Sequence, residues 1–127
     1  MMKILCVFLG GGIGSLLRYG IQELSRKPLA DAAFPWGTFG VNVTGSFLIG
    51  LFYALSFRFP IPDEWRLFLT VGLCGGFTTF STFSNEGLLL LRQGFYGIFF
   101  LYAAGSLAAG LLAVWAGHWA GSAFSGQ

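Results

Sequence analysis

The sequence predicts an all-α membrane protein with four transmembrane helices, the third broken near the bilayer midplane. Three observations predict it. Of the 127 residues, 55% are hydrophobic and only 9% charged, against about 25% charged in an ordinary soluble domain; mean hydropathy is +0.73. The apolar residues gather into four segments, each long enough to cross a hydrocarbon core, which takes about 20 residues of helix. One segment carries adjacent glycines and a dense hydroxyl run at its centre. So little polar cover excludes a soluble enzyme and a disordered chain. Seven Lys and Arg against five Asp and Glu, with no basic cluster, exclude a nucleic-acid binder.

The whole chain reads as one domain. The first span covers about residues 4–22. Gly10 and Gly14 form a GxxxG pair, and Gly11 and Ser15 repeat the spacing. Such ridges let helix backbones approach closely. Lys3 before an apolar stretch, with Ala30-Asp31-Ala32 downstream, imitates a secretory leader. Arg18, Glu23, Arg26 and Lys27 intervene, however, so the first helix is expected to be retained. Gly12-Ile13-Gly14 is no dinucleotide loop: Leu17 stands where a third glycine belongs, and no strand precedes it. The first connection holds Arg26, Lys27, Pro28, Asp31 and Pro35.

The second span covers about residues 37–57. Thr38, Asn42 and Ser46 are four apart and share one helical face. An Asn at membrane depth is costly unless bonded, so Asn42 either glues helices or lines a wet path. The second connection holds Arg58, Pro60, Pro62, Asp63 and Glu64. The fourth span, about residues 96–119, follows the short Arg92-Gln93-Gly94 connection. It carries a second stripe, Tyr102, Ser106 and Gly110, at the same spacing. A buried Tyr102 hydroxyl needs a partner. Trp36, Trp65, Tyr96, Trp115 and Trp119 fall near span ends, where amphipathic rings prefer to lie.

The third span, about residues 67–91, is the unusual one. Gly75-Gly76 precede Thr78, Thr79, Ser81, Thr82 and Ser84, a poor continuous helix. A break at this depth is tolerated where freed backbone faces a cavity or an ion. Free carbonyls there suit a hard cation such as Na⁺; a kink closed by Ser and Thr side chains is the other reading. Phe80 and Phe83, three apart, share one side of the helix. Such a pair ordinarily faces lipid or core; the other reading is that their positive ring edges pass a small anion without a fixed positive charge. Arg18 and Glu86 are the intramembrane charges. Both lie toward the same face, as an ion pair, a solvated mouth or part of a transport path.

Four spans put both termini on one face. That face carries Lys3, Arg58 and Arg66; the other carries Arg26, Lys27 and Arg92, with Arg18 near it. The positive-inside rule therefore gives no orientation. The balance is either chance or the mark of a chain that inserts both ways, whose closed assembly is an antiparallel dimer. Cys6 and Cys74 lie in apolar runs and read as small buried hydrophobes. His118 is isolated and reads as interfacial. No metal-ligand spacing, nucleophile–base set or ATP-binding motif is present, so an enzyme and an active pump are not expected.

Three motifs carry a resemblance. Gly11-Gly12-Ile13-Gly14-Ser15-Leu16-Leu17-Arg18-Tyr19, Trp36-Gly37-Thr38-Phe39-Gly40-Val41-Asn42-Val43-Thr44-Gly45-Ser46-Phe47 and Gly75-Gly76-Phe77-Thr78-Thr79-Phe80-Ser81-Thr82-Phe83-Ser84-Asn85-Glu86 resemble, in order and spacing, the signatures of the Fluc (CrcB) fluoride channels. The resemblance covers essentially the whole chain. It implies an antiparallel dual-topology homodimer in a bacterial inner membrane that exports fluoride passively through two pores. It implies one central Na⁺ held by main-chain oxygens of Gly75 and Thr78 from both subunits. It implies Phe80 and Phe83 as the pore ring pair, Asn42 as the pore amide, and Tyr102 and Ser106 as a polar track. Some members carry a further Ser where this chain has Gly110; a water or Thr82 would stand in for it. Arg18 and Glu86 match family positions as mouth or structural charges. The competing readings are a small proton-coupled multidrug-type antiporter, which needs a deep acidic residue, and a non-transporting assembly subunit.

Overall fold

The computed structural model describes residues 1–26 and 33–124. Lys27, Pro28 and the Ala30-Asp31-Ala32 box lie outside the described residues. The described residues are helical apart from short connections. The elements are α1 (Met2–Arg26), α2 (Trp36–Arg58), α3 (Asp63–Leu67), a π-helical segment (Phe68–Cys74), α4 (Gly75–Phe77), α5 (Ser81–Arg92) and α6 (Tyr96–Phe124). Among the described residues these form four helical spans long and apolar enough to cross a membrane: Met2–Ser25, Trp36–Arg58, Asp63–Arg92 and Tyr96–Ala123.

Each span outruns its sequence-based limits, and the third shows why. Asp63, Glu64 and Arg66 are not connection but the first turn of a helix entered from Pro62. Carboxylates suit the positive end of the helix dipole. Asp63 also meets Arg66 at 2.9 Å and Lys3 at 3.8 Å, so the α1 start is tied to this turn. At the other end Gly94 takes φ +83°, and the Phe95 N–H returns to the Leu90 carbonyl. That left-handed residue turns the chain directly into α6. His118 lies in the last turns of α6 and is half-buried.

The four spans pair non-sequentially. α1 packs chiefly against the third span, and α2 against α6, while α1 and α2 touch little. Glycine sets both seams. A Cβ at Gly14 would fall on the Leu73 carbonyl, and one at Gly76 on the Gly11 carbonyl. In the second seam a Cβ at Gly50 would fall on the Val114 carbonyl, and one at Gly117 on Phe47. The GxxxG ridge of α1 is therefore occupied within the chain. Cys74 is fully buried and Cys6 half-buried, both as free thiols, in keeping with their reading as small hydrophobes.

The break in the third span is real but lies later than the glycine pair. Gly75 is helical at φ −62°, ψ −40°, and α4 runs through Gly76 to Phe77. The chain becomes extended at Thr78, φ −90°, ψ 162°, and resumes helix at Ser81. The glycines are needed for approach to α1, as the Gly76–Gly11 contact shows. The interruption itself comes from side chains that capture backbone donors.

Candidate functional site

Two donors are diverted at the break. In a continuous helix the Thr79 N–H would go to the Gly75 carbonyl; here it goes to Asn42 Oδ1 at 2.8 Å. The Thr82 N–H would go to the Thr78 carbonyl; here it goes to Thr79 Oγ1 at 3.2 Å. The Gly75 and Thr78 carbonyls thus lose the partners a helix gives them. Three carbonyls close to them have other partners. Cys74 accepts from both the N–H and the hydroxyl of Thr78. Gly76 accepts from Arg18 Nε at 3.0 Å, and Thr79 from Asn42 Nδ2 at 3.0 Å.

Asn42 is therefore bonded, as an amide at membrane depth requires. Its amide clamps the Thr79 peptide from both sides, joining α2 to the break. It also lines a cavity of about 630 Å³. Gly45, one turn on, makes room: a Cβ there would strike the Thr78 methyl. The cavity wall includes Gly75, Thr78 and Thr79 from the break, Phe80 and Phe83 beyond it, and Ser46 and Ser106 from the flanking helices. The Ser106 hydroxyl is buried and has no hydrogen-bond partner among the described residues. A buried hydroxyl in that state costs about 1–3 kcal/mol.

Six residues were expected along the path, and the cavity gathers four of them: Asn42, Phe80, Phe83 and Ser106. Tyr102 and Thr82 stand one layer behind. Tyr102 is fully buried, packs its ring on Phe83 at 4.9 Å, and donates its hydroxyl to Glu86 Oε1 at 2.9 Å. Thr82 accepts from the Thr79 hydroxyl at 3.2 Å, closing the cap of α5. The Phe80 and Phe83 rings lie 5.8 Å apart, and Phe80 is 78% exposed on this chain.

Arg18 and Glu86 are not partners of one another. Arg18 braces the break from α1, through the Gly76 carbonyl, and Glu86 takes the Tyr102 hydroxyl. Phe34, just ahead of α2, was not singled out in the sequence; it meets Tyr102 edge-on at 5.3 Å. Its aromatic character offered no periodic signal, because it precedes the helix. Among the described residues, no group of three or more His, Cys, Asp or Glu is placed to hold a metal ion.

Comparison with known proteins gives consistent matches over the whole chain. The model of a family described as CrcB-like protein, Camphor Resistance (CrcB), matches residues 5–118. A fluoride-specific ion channel FluC of Bacteroides fragilis is 55% identical over 126 residues, covering 98% of this chain and 99% of its own length. The protein of the same name from Phocaeicola vulgatus is 54% identical over 119 residues, covering 94% and 98%. That from Thermus thermophilus is 51% identical over 126 residues, covering 99% and 100%.

Proposed function

Because the chain belongs to the CrcB-like protein family, we propose that it is a fluoride-selective channel through which fluoride leaves the cell passively across the bacterial inner membrane. It is a multi-pass membrane protein and a transporter rather than an enzyme. The observation that carries the fluoride reading is the wall of the cavity at the break. It offers hydrogen-bond donors and phenyl rings and no fixed positive charge.

Fluoride is small and strongly hydrated, so a path must replace its water with close donors. Ser106 presents an unpartnered hydroxyl. Asn42 Nδ2 carries two protons and gives one to Thr79, leaving the other for the anion. Phe80 and Phe83 add positive ring edges along a narrow apolar stretch. Tyr102 and Thr82 hold these groups in place, one through the Phe83 ring and the other through Thr79. Arg18 and Glu86 act as structural charges at either side of the break. A buried Lys or Arg would bind the anion too firmly for quick release; the chosen groups do not.

The functional unit is an antiparallel homodimer of chains inserted both ways. Two features support it: the near balance of Lys and Arg between the two faces, and the Phe80 ring left exposed beside the cavity. A two-fold axis in the membrane plane would bring two breaks together. The Gly75 and Thr78 carbonyls fit a hard cation, because both have lost their helical donors. Na⁺ bound there by two chains would supply a positive charge that fastens the breaks to each other. Removing sodium by dialysis into an N-methylglucamine buffer is expected to lower the melting temperature of the purified dimer, and millimolar Na⁺ to restore it. An unchanged melting curve would remove the ion from the account.

The primary test is fluoride efflux from liposomes reconstituted with the protein, followed by a fluoride electrode beside a chloride electrode. Fluoride release that needs only a charge shunt, with chloride retained, is the expected result. Flux that requires a proton gradient would favour the antiporter instead. Against that stands Glu86, the carboxylate of α5, already engaged by Tyr102. Phe80→Ile and Phe83→Ile each keep the volume roughly apolar while removing the ring edge. Each is expected to slow fluoride release about tenfold or more, the equivalent of about 1.4 kcal/mol, with the dimer intact by size exclusion. Unchanged flux in both would end the ring-edge role.

A further inference from the structure

The two stripes seen in the sequence face each other in register. The α2–α6 seam sets Gly50 against Val114 and Ser46 against Gly110. Stepping back one turn at a time brings Asn42 to the level of Ser106 and Thr38 to that of Tyr102. Both members of this last pair are fully buried. At three of the four levels α2 and α6 meet through polar or small groups. Ser46 is the member with no role so far.

Its hydroxyl behaves unlike several others in the spans. Ser25, Ser56, Thr70 and Thr78 each return a hydrogen bond to the carbonyl four residues earlier. That is the usual resting place of a hydroxyl inside a helix. Ser46 makes no such bond and has no partner among the described residues, yet it lines the cavity. Gly110 stands opposite: a Cβ there would make ordinary contact with Ser46 Oγ, at 3.7 Å. Beyond Ser46 the α2 wall continues as Ile49, which carries no side-chain donor.

We propose that Ser46 is a further fluoride-binding residue of the channel, a hydroxyl supplied from α2 one turn, about 6 Å, past the Asn42–Ser106 level. This rests on the fluoride reading above and deepens it. Ser46 gives the anion a donor at the level where α6 offers only Gly110, so the path does not pass from Ser106 straight to bare hydrocarbon.

The test is fluoride efflux from liposomes carrying wild type, Ser46→Ala, Ser46→Thr and the double variant Ser46→Ala/Gly110→Ser, with Thr44→Ala as an exposed control on the same helix. Loss of one hydrogen bond to an anion predicts a fall of about tenfold or more in Ser46→Ala. Ser46→Thr should stay near wild type. In the double variant the Gly110→Ser hydroxyl enters from the opposite wall and should recover much of the lost flux at unchanged melting temperature. Wild-type flux in Ser46→Ala would overturn the proposal. So would a slow Ser46→Ala that Gly110→Ser does not rescue and whose melting temperature has fallen, because that is a packing role. Failure of wild type itself to release fluoride is a different result and would overturn the channel reading along with it.

Discussion

Asn42→Asp is expected to cut fluoride flux about a hundredfold, and to do so more severely than Asn42→Ser. The aspartate keeps an acceptor for the Thr79 N–H but turns its second oxygen on the Thr79 carbonyl, which had received Nδ2. One half of the clamp becomes a repulsion. The carboxylate also stands in the wall of the cavity. A fluoride ion about 4 Å from it meets roughly 4 kcal/mol of repulsion at an effective dielectric of about 20. At about 1.4 kcal/mol per tenfold that is nearly a thousandfold; water in the cavity screens it toward the expected value. Serine adds no charge. Its cost is the two lost hydrogen bonds, about 2 kcal/mol of stability, and a drop in flux of about tenfold. Liposome efflux with thermal melts of both variants checks this. The reverse order of fluxes would place the anion somewhere other than along Asn42.

The second large effect is on folding rather than conduction. Gly14→Val is expected to abolish recovery of folded protein in detergent. A Cβ at Gly14 would fall on the Leu73 carbonyl and stand 2.8 Å from the Phe77 nitrogen. Both are backbone atoms of the span that carries the break, so neither can turn aside. Overpacking of this kind costs about 1–3 kcal/mol where side chains can yield, and more where they cannot. Gly12→Ala is the control: nothing lies within 4 Å of a Cβ there. Its melting temperature should match wild type. Equal recovery of both variants by size exclusion would show that the α1 seam can open to admit a side chain.

The sequence made the four spans legible because a hydrocarbon core demands long apolar helices, and composition alone meets or misses that demand. The stripes on α2 and α6 were legible from spacing, since residues four apart share a face whatever they touch. The break was legible as a feature and misplaced by about three residues. Glycine is a poor helix former in isolation, but Gly75 and Gly76 stay helical because Gly76 must lie against Gly11. What ends the helix is an amide thirty-seven residues away in sequence, Asn42, taking the Thr79 N–H. No local pattern contains that. The same holds for Arg18 and Glu86. Charge made both conspicuous, yet their partners, a carbonyl on the third span and a phenol on the fourth, are set by how the spans pair.

That pairing has a consequence for the order in which the molecule comes into being. A chain leaves the ribosome first span first, but here the first span closes on the third and the second on the fourth. When α1 and α2 have both entered the bilayer, neither seam exists. Gly10 and Gly14 still face lipid, and so do Gly45 and Gly50. Only when Gly72 and Gly76 arrive does α1 find its partner; the same span brings α2 the Asn42–Thr79 clamp, but the main α2 seam waits for the last helix. Contacts between distant parts of a chain close late. The nascent protein therefore passes through a stage of four crossings minus two with no finished interface, held in the membrane by hydrophobicity alone. Its tertiary structure is completed in the second half of synthesis, after the third span begins.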